Sequence, residues 1–196
     1  MLILSTTIIV QGAVPMISPV TSFHLPEILQ DVIPPNISCN KVIFVCIGTD
    51  RSTGDSLGPL VGSFLKKKGY RNVIGTINNL VHAKNLYEKL SEVPINKKVI
   101  VIDSMLGKVD SIGKFYVFNG GLKPGAGVGK ELDAVGDYSI SGVVNVGGFL
   151  SQQVLQYTEL SLVLKMAEEI TEAIENRFPL PEWLKTSNEI NWRITS

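Results

Sequence analysis

Strands alternating with helices predict an α/β fold, a three-layer α/β/α sandwich around a mostly parallel sheet. Three observations carry the prediction. Residues 41–48 read KVIFVCIG, a continuous apolar run of the kind buried on both faces of a parallel sheet. Leu57, Leu60, Val61, Phe64 and Leu65 follow at helical spacing. The alternation then recurs, with strands at 99–102 and 140–146 and a long final helix. That helix has Leu160, Val163, Leu164, Ala167, Ile170 and Ile174 on one face. Right-handed crossovers leave few topologies. In the common doubly wound order, strands one and three lie side by side, and ligands sit beyond their carboxyl ends.

Each element has its own reason. Residues 1–10 are apolar but too few to cross a bilayer. No Lys or Arg precedes Lys41, so the basic start of a signal peptide is missing. Residues 1–22 are expected as an added strand or a loose arm, with Pro34-Pro35 as the last break before the main domain. The first helix stops at Gly69, after Lys66-Lys67-Lys68, whose cations suit a helix C-terminus. Residues 72–77 read as a weaker second strand. Ala83, Leu86, Tyr87 and Leu90 form the face of a second helix, closed by Pro94. Residues 114–118 alternate as a fourth strand, 119–131 are a glycine-rich loop, and 149–158 start a helical segment. The expected boundaries are an N-terminal arm at 1–40, one domain at 41–177, and a tail at 178–196 that holds Trp183 and Trp192.

Composition narrows the function. With 196 residues, 44% apolar and 18% charged, the chain supports a real core and is not a disordered polymer. Its 18 Lys and Arg balance 18 Asp and Glu, which leaves no cationic excess to hold nucleic acid. Cys39 and Cys46 make neither a disulfide framework nor a Cys-x-x-Cys pair, and Cys46 reads as a small core residue. A cytoplasmic protein is expected, with no nucleic acid, no membrane, and a homo-oligomer left open.

The chemistry gathers at residues 48–59, the loop between the first strand and first helix. It lacks the Gly-Lys-Ser/Thr ending and the Gly-x-Gly-x-x-Gly spacing of phosphate cradles. Asp55 reads either as a helix N-cap or as one member of a pair with Asp103. Asp103 ends an apolar strand, where a carboxylate is costly unless paired, hydrogen-bonded or used. Two close carboxylates resist ionising together, so one becomes an acid and the other a base. The same pair could hold a metal. No cofactor is expected, and the chain lacks the four Cys and His ligands of a structural zinc. Any metal would have Asp55, Asp103 and His82 as an open ligand set. His82 opens the second helix and borders the same crevice.

The residues TGDSLGP, at 53–59, resemble the Thr-Pro-Asp-x-Leu-Gly-Pro segment of the spore germination protease family. The run VIDS at 101–104 resembles that family's second aspartate segment, and GGLKPGAGVG at 120–129 its His-Pro-Gly-Ser-Gly-Val-Gly loop. The whole chain is similar to the YyaC-like sporulation proteins, which carry CIGTDRSTGD, a His-Ala element and LKPGAGV in the same order. The resemblance implies the phosphorylase/hydrolase-like sandwich shared with hydrogenase maturation proteases. It implies an atypical aspartic peptidase with Asp55 and Asp103 as the catalytic pair. Thr53 and Ser56 would support Asp55. His82, Lys123, Gly125 and Gly127 would meet the substrate, the glycines bringing N–H groups to a peptide carbonyl. Gly54 stands where the family has proline, and Lys123 where it has histidine. The alternatives are a non-catalytic peptide-binding protein and a metal-dependent processing peptidase.

Overall fold

The apolar run after Lys41 becomes β1 (Val42–Cys46), buried along its whole length because both faces are covered. The computed structural model describes residues 18–123 and 133–181. In it β1 pairs in parallel with β2 (Val73–Ile74) on one side and β3 (Lys98–Gly107) on the other. Beyond β3 lie β5 (Tyr138–Val146), parallel to it, and β4 (Phe115–Asn119), antiparallel to β5. The order β2-β1-β3-β5-β4 makes β1 and β3 neighbours, as the doubly wound expectation requires.

Strand alternation sorts the core into two layers. Phe44, Cys46, Ile100, Ile102 and Ile140 face α1 (Leu25–Val32), α2 (Leu57–Lys67) and α5 (Leu160–Arg177). Val45, Ile47 and Val101 face the other way, against Val81, Leu86 of α3 (Leu86–Ser91), Leu122 and Val135. A short helix, α4 (Ser151–Gln156), links β5 to α5. The sheet is therefore covered on both sides, which is why its strands read as unbroken apolar runs.

Several boundaries move. Residues 25–40 are not an arm. Leu25, Leu29 and Ile33 are completely buried, since their i, i+4, i+8 spacing makes one face that packs on α5. The Pro34-Pro35 segment is tied down too, because the Arg177 guanidinium donates to the carbonyls of Ile33, Pro34 and Ile37. At the other end, Phe178 belongs to the core rather than to a tail. Its ring meets Phe44 edge-on at 5.8 Å, and its carbonyl accepts from the Tyr70 hydroxyl at 2.7 Å. Leu160 is exposed, so the buried face of α5 starts at Val163. β3 does not stop at residue 102 but runs on beside β5 to Gly107, which places Asp103 inside the strand. Among the described residues no helix is long and apolar enough to cross a membrane. Residues 1–17, Gly125, Gly127, Trp183 and Trp192 lie outside the described residues.

Candidate functional site

The end of β1 is held from both sides. The Ile47 N–H donates to the Ile102 carbonyl and the Gly48 N–H to the Val81 carbonyl, each at 2.8 Å. The chain then doubles back so that the Asp55 carbonyl accepts from the Thr49 N–H at 3.0 Å. Gly48 allows this fold-back. Its φ is +151°, and a Cβ there would lie 2.0 Å from the Asp55 carbonyl oxygen. Residues Gly54–Ser56 form a 3₁₀ turn, closed by the Ser56 hydroxyl donating to the Thr53 carbonyl at 2.6 Å. Thr53 and Ser56 thus fix the main chain that carries Asp55. The N-cap of α2 is Ser56, so Asp55 is not the capping residue. Its side chain turns toward β3, where Oδ1 lies 3.5 Å from Ser104 Oγ.

Asp103 and Ser104 are consecutive on β3 and so face opposite sides of the sheet. Asp103 follows Val101 to the α3 side, while Ser104 follows Ile102 to the α2 side. Pairing of β1 with β3 ends at Cys46 and Ile102, so this edge of β3 is open. Across it the two aspartates approach, and Ser104 touches both. Its N–H donates to Asp103 Oδ1 at 2.8 Å, and its hydroxyl faces Asp55.

The electrostatics make the carboxyls unequal. Asp103 as a residue is only partly buried, but its carboxyl is enclosed. Burial pushes its pKa up to about 8. The Ser104 N–H opposes that rise, and the nearby Asp55 charge adds to it. Asp55 is also raised by burial, but hydroxyls of Ser52 and Ser104 favour its ionised form. The Ser52 hydroxyl is buried and makes no well-formed hydrogen bond, so it acts on the carboxylate as a nearby dipole.

Beside this pair lies a cleft of about 590 Å³, bounded by Thr49, Asp50 and Arg51 on one wall and Leu80, His82 and Lys84 on the other. Neither aspartate lines it. His82 precedes α3 by a turn, rather than opening it. Its N–H donates to Asn85 Oδ1, and Asn85 Nδ2 donates to the Leu80 carbonyl. His82 Nδ1 is buried without a partner. Lys123 is exposed at the root of the glycine-rich loop. Leu122 and Val135 exchange both backbone hydrogen bonds there, in the α3-side core. Among the described residues no group of three or more His, Cys, Asp or Glu side chains could hold a metal. His82 therefore does not complete the three-ligand set expected with Asp55 and Asp103, and these residues do not fit a resident metal. Ser52 and Ser104 were not foreseen as site residues. Both lie inside the quoted motifs, Ser52 in CIGTDRSTGD and Ser104 in VIDS, but nothing in those runs singles them out.

Over 138 residues the chain is 49% identical to the uncharacterised protein YyaC of Bacillus subtilis (strain 168), covering 68% of this chain and 67% of that one. Among solved structures it is similar to the NiFe hydrogenase maturation protease HycI from Thermococcus kodakarensis KOD1. The TM-score is 0.49 at 18% identity, covering 71% of this chain and 93% of HycI. It is also similar to the maturation protease HybD from Thermococcus kodakarensis, with a TM-score of 0.43 at 16% identity, over 68% of this chain and 98% of HybD. The model of the family described as "Protein of unknown function (DUF1256)" matches residues 15–173, and the chain belongs to that family.

Proposed function

We propose that this chain is a sporulation-associated peptidase of the germination protease type, in which Asp55 and Asp103 activate water to hydrolyse a peptide bond. One observation supports the reading above all: two carboxyls share Ser104, and burial raises both, Asp103 to about 8, while the hydroxyls of Ser52 and Ser104 oppose the rise at Asp55. Acid–base catalysis by a carboxyl pair needs that inequality.

Ionised Asp55 takes a proton from a water whose oxygen bonds to the scissile carbonyl carbon. Protonated Asp103 then gives its proton to the amide nitrogen as the carbon–nitrogen bond breaks. The pair ends with its proton moved from Asp103 to Asp55, and return of that proton resets the site. The cleft beside the pair takes a substrate side chain, with His82 on its wall. Thr53 and Ser56 hold the Asp55 turn in place, and Lys123, exposed at the root of the glycine-rich loop, contacts the substrate. The substrate is a protein or peptide within the sporulating cell or the spore interior.

The test is incubation of the purified chain with a spore-protein extract, with new peptide termini read by mass spectrometry. Wild type is expected to generate them, and Asp103→Asn to slow them by about 100-fold or more, the scale of acid–base catalysis. Binding of extract peptides without cleavage would replace this reading with a non-catalytic peptide-binding protein. Cleavage abolished by a chelator would replace it with a metal-dependent processing peptidase.

A further inference from the structure

Among the described residues, Ser104 is the one that touches both carboxyls. We infer that it is a positioning residue of the pair, its N–H fixing the Asp103 carboxyl and its hydroxyl supporting the Asp55 carboxylate. The significance of this role rests on the peptidase reading, but the contacts do not. The N–H to Asp103 Oδ1 is a full hydrogen bond at 2.8 Å. The hydroxyl stands 3.5 Å from Asp55 Oδ1, long for a hydrogen bond and of the kind that tightens when a substrate closes a site.

The strand dictates both contacts. Ser104 is opposite Gly142 of β5, and the space a Gly142 Cβ would enter is already held by Leu57 and Met166. The small serine side chain thus lies beside the residue that opens α2, two positions after Asp55. Few other groups compete for the Asp55 carboxyl. Asp103 and the Ser52 hydroxyl face it, whereas α4 and β5 hold no charged residue. The first charged residue of α2 is Lys66, at its far end, and that of α5 is Lys165, exposed and 4.0 Å from Glu169. Asp50 and Arg51 of the loop are exposed.

Removing only the hydroxyl leaves the Asp103 hydrogen bond intact and takes a donor from Asp55. The experiment is a carboxyl-carbon NMR titration of wild type, S104A, S104C and S104T, which needs no substrate. The Asp55 midpoint is expected to move up by about half a pH unit or more in S104A and S104C. In S104T, which keeps the hydroxyl, it is expected within about 0.2 unit of wild type. An unmoved midpoint in S104A, or an S104T shift as large as that of S104A, would overturn the inference. The expected shifts in a chain that cleaves nothing would uphold Ser104 and reject the peptidase.

Discussion

Asp103 keeps a proton near neutrality that an unfolded chain would have released. An ordinary aspartate titrates near 3.9 and this one near 8, so between those values the native state binds the proton more tightly. Stability from this group is complete below the unfolded value and is lost as pH rises through the folded one. Wild type should therefore lose up to about 1.4 kcal/mol per pH unit across the window from this group. Asp103→Asn is neutral at every pH and escapes the loss. Melting temperatures are expected to be similar near pH 4 and to diverge as pH rises toward 8, with the variant more stable. Parallel curves for the two proteins would mean that the Asp103 carboxyl is not shifted. The same residue shows what sequence cannot display. A lone aspartate after four apolar residues marks a costly position, but its partner is 48 positions away and its hydrogen-bond donor is its own neighbour's main chain.

Elements were legible in proportion to their burial. β1, α2 and α5 have long, one-sided or fully apolar patterns, and each was read close to its observed place. β3 was read too short because residues 104–107, beyond the end of β1, are only partly buried and lack a continuous apolar run. α1 was missed because the paired prolines after it looked like a boundary, although Leu25, Leu29 and Ile33 were already at helical spacing. Gly54 gives a test at this scale. It stands where germination proteases have proline, and a Cβ there would meet Leu155 Cδ2 at 2.7 Å and Thr158 Oγ1 at 3.0 Å. α4 leans on this turn, and the glycine makes room for it. Gly54→Pro is expected to destabilise the fold by about 1–3 kcal/mol in urea titrations, as overpacking does. A variant as stable as wild type would show that α4 gives way freely.

At the scale of the molecule, the sheet order does the work of assembly. It brings a loop after β1 and a residue inside β3 to one open edge, and neither run of sequence reveals the other. The aspartate pair was legible because topology rules make β1 and β3 neighbours, and because the motif residues resemble a known family. The hydroxyls of Ser52 and Ser104 were not, since serines occur throughout the chain and only folding selects these two. His82 lines the cleft beside the pair, but it does not complete the ligand set expected with Asp55 and Asp103. In the proposed mechanism one carboxyl works as acid and the other as base, and the pH dependence of cleavage reports on both. A bell-shaped profile is expected, with activity falling on the acid side as Asp55 takes up a proton and on the alkaline side near pH 8 as Asp103 loses one. Cleavage that continues undiminished above pH 9, or that survives in Asp103→Asn with its alkaline limb unchanged, would contradict it.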